Sequence, residues 1–401
     1  MPDYDAIVIG GGPAGSSAAI SLVNRGARVL LLEATSMPRG KLCGEFIAPE
    51  SFPTLERLGV MQRMLSDGAH RITRASLVAS NGNSVQTHLS RISANAPWAM
   101  SLSRSRFDQN LFDRAREAGV ECREGVAVKS CIRGRGLSHE VEALSLATGS
   151  TIVLRATVIV DASGRNSRMM LRRQERASGR RGSRLYALKA HFEGVRGIDD
   201  QVELHFFPQG YGGFSRIEGG LVNLCFIVDE STLRNAGGDP SKVLERSVMS
   251  NEIARERLRD AVVVGKWHSA GPLTFGHRRL TKDGVIAVGD ASGMIDPFTG
   301  TGIQMALRTG EMVADAITDA IGSTAKKPVD EAASSIPDLV LNKYSILYNS
   351  EFRNRLNAAG LLRALAFSPR VAPIVASVLT RVPWLARFVL QATRSTSGPS
   401  R

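Results

Sequence analysis

The sequence predicts an α/β fold: a parallel, helix-flanked sheet, interrupted by a run of further strands and followed by a helical C-terminal tail. Three observations lead there. A short apolar run, a glycine-rich turn, a helix of small residues and a second apolar run follow one another between Asp5 and Glu33. A second strand-turn-helix pattern stands at 284–317, and between the two lies a stretch with the alternation and turn residues of strands. The 401 residues carry 51 Lys+Arg against 38 Asp+Glu, a net charge of +13, with 43% hydrophobic residues. That is core material for two domains and excludes a disordered chain. Cys43, Cys122, Cys131 and Cys225 form neither a CxxC pair nor a disulfide framework, so a reducing compartment is expected. The first residues lack the basic and apolar regions of a signal peptide, and no uncharged apolar stretch reaches the roughly 20 residues of a membrane span. A cytoplasmic chain is expected.

In the first segment Ala6-Ile7-Val8-Ile9 reads as a buried parallel strand, Arg28 to Leu32 as its neighbour, and Arg25-Gly26 as the end of the helix between them. Ala14, Ser17, Ala18 and Ser21 are small enough to let that helix lie close to the sheet. Gly10, Gly12 and Gly15, with Pro13 and Ala14 among them, occupy the strand-to-helix turn. Gly10 permits the tight turn, Gly12 the approach of a pyrophosphate to the backbone, and Gly15 close helix-to-strand packing. The free N–H groups of the helix start then meet the phosphate. Glu33 ends the second strand 18 residues after Gly15, where a carboxylate accepts hydrogen bonds from a ribose diol. These parts in this order point to a dinucleotide.

Downstream, Val285 to Val288 reads as another buried strand, closed by Gly289-Asp290, and a helix is expected from about Thr301. Ile303, Ala306, Leu307, Gly310, Val313, Ala314 and Ile317 recur at helical spacing. The loop before it, Pro297-Phe298-Thr299-Gly300-Thr301-Gly302, has the flexibility and free N–H groups to pack against a planar electron-accepting ring.

GGGPAG with Glu33, and GDASGMIDPFTGTGI, resemble the two FAD-binding signatures of the flavoprotein superfamily containing para-hydroxybenzoate hydroxylase, geranylgeranyl reductases and flavin-dependent halogenases. The resemblance spans residues 1 to about 320 and implies a Rossmann-like FAD-binding domain with an inserted mixed β-sheet substrate domain. It implies that Arg104 contacts FAD, that the backbone at Val128 meets adenine, and that Asp161 belongs to a third fingerprint in which Ala162 replaces the usual glycine. It further implies that Gly289 and Asp290 hold the ribitol chain, while Gly300, Thr301, Gly302 and Ile303 face the pyrimidine edge of the isoalloxazine. A helix start there stabilises negative charge on reduced flavin by up to about 2 kcal/mol. The expected division is 1–75, 100–183 and 275–330 for the FAD domain, 76–99 and 184–274 for the substrate domain, and 331–401 for the helical tail. With one nucleotide fingerprint only, electrons are expected from transiently bound NAD(P)H or from a protein donor.

The segment Lys41-Leu42-Cys43-Gly44-Glu45 resembles both the Gly-Glu-Ser loop of halogenases and the Cys-Gly loop of geranylgeranyl reductases, which lie beside the isoalloxazine. Two features disfavour halogenation. The stretch Tyr211 to Ile217 lacks the tryptophans and proline of the halogenase motif, and no lysine occurs between Lys41 and Lys129. Cys43 either touches flavin or substrate or is a small packed residue. His191, His205, Tyr211 and His268 are acid/base candidates, each equally readable as a strand residue with a satisfied hydrogen bond, and Pro297 is placed at the flavin. Lys189, His191 and Glu193 share one strand face opposite Leu188, Ala190 and Phe192, and the pattern leaves open which face meets the site. No histidines and carboxylates stand at metal-ligand spacing.

Arginines crowd 165–184 and read as a solvated connector, with phosphate-cofactor or anionic-membrane docking as alternatives. Nucleic acid is disfavoured because no aromatic platform is interleaved. The tail from Pro337 to Arg401 is apolar and helical in pattern, a lid or a peripheral membrane contact, and both imply a hydrophobic small-molecule substrate. The expected reaction is monooxygenation of an aromatic, polyketide or isoprenoid compound, with carbon-carbon double-bond reduction second. Non-redox flavin cyclisation and FAD sensing complete the alternatives.

Overall fold

The computed structural model describes residues 2–91, 93, 96–133, 139–170, 184–324 and 329–366. Most of the arginine-rich connector, and the tail beyond Ala366 expected to form a lid or membrane contact, lie outside the described residues.

The elements that shape the site run β1 (Tyr4–Ile9), α1 (Pro13–Val23), β2 (Val29–Leu32), β3 (Arg74–Val78), β4 (Ser84–His88), α2 (Arg104–Glu117), β5 (Glu121–Arg123) and β6 (Val126–Arg133). There follow β7 (His139–Ser145), β8 (Thr151–Asp161), β9 (Leu185–Glu193), β10 (Gln201–Phe207), β11 (Gly210–Arg216), β12 (Val222–Asp229), β13 (Val262–Leu273), β14 (Val285–Ala287), α3 (Gly302–Thr324) and α4 (Val329–Ala366). One sheet orders β14-β8-β1-β2-β5, all parallel, with Ala6 opposite Val158 on one side and Val29 on the other. The short apolar runs of β1 and β2 are buried because helices cover one face and the β6–β7 hairpin strands the other.

Gly12 starts α1 and Pro13 occupies its first turn, where a missing N–H costs nothing. The helix packs on the sheet as the sequence suggests, and its small residues serve a second neighbour as well. They admit α3: a Cβ on Gly310 would stand 2.4 Å from Ala14 O and 2.9 Å from Ala18 N. Ser17 Oγ donates to Leu307 O at 2.7 Å across the same contact. Buried Ala14, Ala18 and Leu22 thus tie the start of the glycine turn to α3.

The second sheet orders β13-β9-β12-β11-β10-β3-β4. Leu188, Ala190, Phe192, Phe214, Leu224 and Phe226 on one face form a separate core beneath the short helices of 230–257. Alternation then turns Ala187, Lys189 and His191, with their cross-strand partners Ile227, Cys225 and Asn223, toward the first domain. That resolves the face left open by the sequence.

α4 is a single helix that passes through Pro337 and begins earlier than the apolar tail pattern suggests. It docks on the half of the molecule built on the first sheet. Tyr344 and Tyr348 are buried and donate to Ala287 O at 3.0 Å and Ser292 O at 3.2 Å, so their phenols are satisfied while their rings fill the core. No described helix is long and apolar enough to cross a membrane.

Candidate functional site

A cavity of about 940 Å³ runs from the glycine turn to the inner face of the second sheet. This is at the large end of small-molecule sites. Its dinucleotide half rests on backbone that tolerates no side chain. Gly10 has φ +107°, and a Cβ on Gly15 would stand 1.9 Å from Gly10 O. Gly12, Pro13 and Ala14 line the cavity, whereas Gly15 is packed behind them.

Glu33 lies at the end of β2 and accepts from Gly11 N at 2.8 Å, Thr35 N at 3.0 Å and Thr35 Oγ1 at 2.8 Å. Burial pushes its carboxyl up, but the Arg39 cation 3.2 Å away and these donors outweigh that and hold it below the usual carboxylate range. Arg104 begins α2 and makes a two-pronged bond to Asp108, Nε to Oδ1 at 2.7 Å and Nη2 to Oδ2 at 2.8 Å. The sequence reading passed over Arg39. Its guanidinium is nearly buried between Glu33 and Asp108, both it and Arg104 lie over Gly12, and its Nε and Nη1 have no hydrogen-bond partner. Two nearly buried arginine cations standing over a glycine turn match a pyrophosphate.

Asp290 lines the cavity beneath Arg104, Arg165, Arg278 and Lys41. Burial raises its carboxyl against those cations; Asp290 O accepts from Arg278 Nη1 at 3.2 Å, while the carboxyl itself makes no hydrogen bond among the described residues and can accept from hydroxyls. Lys41 also lines the wall, its ammonium shifted down by burial and by Arg39 and Arg104. Val126 to Lys129 form the opposite side, including Val128. Gly289, Pro297, Gly300, Gly302 and Ile303 complete the far end, with Gly300 in the left-handed region at φ +66°. Thr301 is buried behind them and shares a 3.0 Å hydroxyl contact with Thr299. Asp161 is likewise behind the wall: its carboxylate accepts from Ser163 N at 2.9 Å and from Ser163 and Ser167 hydroxyls, so it shapes the loop whose Ala162 to Arg165 line the cavity. These donors, glycine surfaces and the free Asp290 carboxyl fit FAD.

The second half of the cavity is walled by the apolar Leu77, Val85, Val202, Leu204, Ile227 and Phe298, with Ser76, Gln86, Thr87 and Arg91 among its polar lining. Cys43 lines it where the 41–45 loop crosses over. That loop is strapped by a buried cluster absent from the sequence reading. Glu45 has φ +57° and is buried; its Oε1 accepts from Arg104 N at 2.7 Å and pairs with Lys189 Nζ, while Oε2 lies 2.7 Å from His191 Nε2. Burial would raise the Glu45 carboxyl, but His191 and Lys189 hold it below the usual range. Lys189 Nζ also donates to Lys41 O at 3.2 Å, and Asn223 Nδ2 to Cys43 O at 3.2 Å. A lysine does reach the loop, then, from β9.

The acid/base candidates fall outside the cavity wall. His191 is bound to Glu45, and His268 packs on Gly40. His205 lies on the opposite sheet face, 2.9 Å from Glu203 and edge-on to Phe214. Tyr211 is buried with its hydroxyl on Asp296, whose Oδ1 also accepts from Phe298 N at 3.3 Å. Tyr211 therefore braces the turn that carries Pro297.

A glycine cradle with two arginines above it, an acidic residue ending β2 and an apolar sheet facing the same cavity define a flavoprotein of the dinucleotide-binding α/β class. The sequence model of the FAD binding domain family matches residues 3–335, and the chain belongs to that family. It is 26% identical over 381 residues to a digeranylgeranylglycerophospholipid reductase of Methanopyrus kandleri, covering 91% of this chain and 88% of the relative. It is 28% identical over 337 residues to a pyrrole-2-carbonyl peptidyl-carrier-protein brominase of Pseudoalteromonas luteoviolacea, covering 81% and 80%. The fold matches a geranylgeranyl bacteriochlorophyll reductase-like structure from Thermoplasma acidophilum with TM-score 0.70, 19% identity, and coverage of 98% and 92%. The chain is an FAD-dependent oxidoreductase.

Proposed function

We propose that this oxidoreductase hydroxylates an apolar small molecule held between the FAD site and the inner face of the second sheet. The carrying observation is the continuity of one cavity from the Gly12 turn to the wall of Leu77, Val85, Val202, Leu204 and Ile227. When bound and reduced, FAD supplies two electrons to dioxygen, so that one oxygen atom enters a substrate C–H bond and the other leaves as water. Arg39 and Arg104 would hold its pyrophosphate, Glu33 the ribose, Asp290 the ribitol hydroxyls, and the Gly300–Gly302 backbone the flavin edge. The 41–45 loop, strapped by Glu45, covers the junction and keeps water from the reacting region. The electrons come from NAD(P)H bound transiently or from a protein donor, because the described fold contains one glycine cradle.

The test is to reduce the holoprotein without oxygen, add an apolar phenol, and mix with aerated buffer. Hydroxylated product in step with flavin reoxidation supports the reading. A second reading, reduction of a carbon-carbon double bond, is favoured by Cys43 on the cavity wall and by the similarity to the archaeal reductase. Reoxidation without product, together with anaerobic saturation of an added alkene, establishes that one instead.

A further inference from the structure

The turn that leads into α3 hangs on one buried carboxylate. Asp296 is 1% exposed, and its Oδ1 accepts from the Tyr211 hydroxyl on β11 and from Phe298 N at 3.3 Å. Its backbone oxygen accepts from Thr299 N at 3.1 Å and from Thr299 Oγ1 at 2.9 Å. Pro297, Phe298, Thr299 and Gly300, the residues so held, all line the cavity. The Phe298 ring stands edge-on to Tyr211, 6.3 Å between centroids.

The other carboxylate oxygen, Oδ2, has no hydrogen-bond partner. Among the described residues the cation facing it is Arg363, whose Nη1 reaches to 3.7 Å from the last turn of α4. The same guanidinium lies 4.7 Å from the centroid of the Phe275 ring, so an aromatic face seats it beside the carboxylate. A buried carboxylate left without a cation gives up its charge. Burial pushes Asp296 up to about 6, while Tyr211, Arg363 and Phe298 N pull the other way. These are the groups that face it from β11, from α4 and from its own turn. A neighbouring cation lowers a carboxyl by about one pH unit or more, so without Arg363 Asp296 is roughly half protonated at neutral pH. The bonds from Tyr211 and Phe298 N then lose the assistance of the charge, which roughly doubles their strength.

We infer that Arg363 is a positioning residue for the flavin edge: from α4 it pairs with the Asp296 carboxylate and, through it, fixes the turn of Pro297 to Gly300 against the ring. This rests on the flavin edge lying at Gly300–Gly302, as proposed above, and holds whether that flavin oxygenates or reduces. The helix that follows α3 thereby completes a site whose motifs all lie before it.

The experiment records the visible absorbance of the oxidised, FAD-loaded full chain from about pH 4.5 to 8, across the ordinary and the raised carboxylate range. The wild type is expected to show a transition at about 6. Asp296→Asn is expected to abolish it, Arg363→Lys to keep it, and Arg363→Met to move it about one pH unit higher. Arg363→Gln, which keeps a hydrogen-bonding head without the charge, decides the matter if the methionine variant does not fold. An Arg363 that only docks α4 would lower the urea midpoint when replaced and leave the transition in place, and that result overturns the inference. A transition that survives in Asp296→Asn overturns it too. A flavin spectrum that neither pH nor any variant alters overturns both the inference and the placing of the flavin edge.

Discussion

The strap over the 41–45 loop gives a sharp thermodynamic expectation. Lys189 is buried, and among the described residues its ammonium meets only Glu45 and Lys41 O. Glu45→Gln therefore strands a buried cation, at a cost of about 3–5 kcal/mol. Lys189→Met is milder, because Glu45 keeps His191 and the Arg104 N–H; losing one charged partner costs about 1–3 kcal/mol. The double variant carries no stranded ammonium, so its loss should fall short of the sum by about 2 kcal/mol or more. The assay is urea unfolding of the four proteins with FAD in excess, comparing midpoints at constant slope. The sign with pH also follows. Glu45 has a folded value below its unfolded one, so its stabilisation is present above the ordinary carboxylate range and disappears as pH falls through the depressed folded value. Additive losses, or a Glu45→Gln protein within about 1 kcal/mol of the wild type, would refute the reasoning.

Other expectations follow from the same geometry. Arg39→Ala should weaken FAD binding roughly ten- to hundredfold, the value of charged hydrogen bonds to a phosphate, as measured by flavin release on dilution; full retention of FAD contradicts the pyrophosphate assignment. Burial pushes Asp296 up to about 6, so its own contribution to stability falls as pH rises from about 4 to 6, and Asp296→Asn should change the slope of a melting-temperature series over that window in the direction of greater stability with rising pH. An unchanged slope removes Asp296 as a contributor. Gly310→Ala places a methyl group against Ala14 O and Ala18 N, forcing α1 and α3 apart at a cost of about 1–3 kcal/mol, visible as a lower urea midpoint.

The glycine turn, Glu33 and the Gly300 region were legible because their chemistry is encoded within a few neighbouring residues. A turn needing φ +107° at Gly10, or a helix start facing a ring, leaves a local signature. Arg39 left none, since one arginine in a loop is ordinary until the fold seats it between Glu33 and Asp108. The strap was invisible for another reason: Glu45 and Lys189 stand 144 residues apart, and strand alternation paired Lys189 with His191 without showing which domain they face. Tyr211 reads from the sequence as an acid/base candidate or a strand residue with a satisfied hydrogen bond, and only the fold shows Asp296 taking its hydroxyl. The close approach of α1 to α3 is legible at neither helix alone, because small residues announce a close neighbour without naming it.

The central claim is oxygen insertion into an apolar substrate beside FAD. The most direct test is a single turnover of the reduced holoprotein with para-octylphenol under isotopically labelled dioxygen, followed by mass spectrometry of the organic product. The expected product carries one labelled oxygen atom, with the other in water. A product without label, or an alkene substrate that instead gains two hydrogens with oxygen excluded, contradicts it.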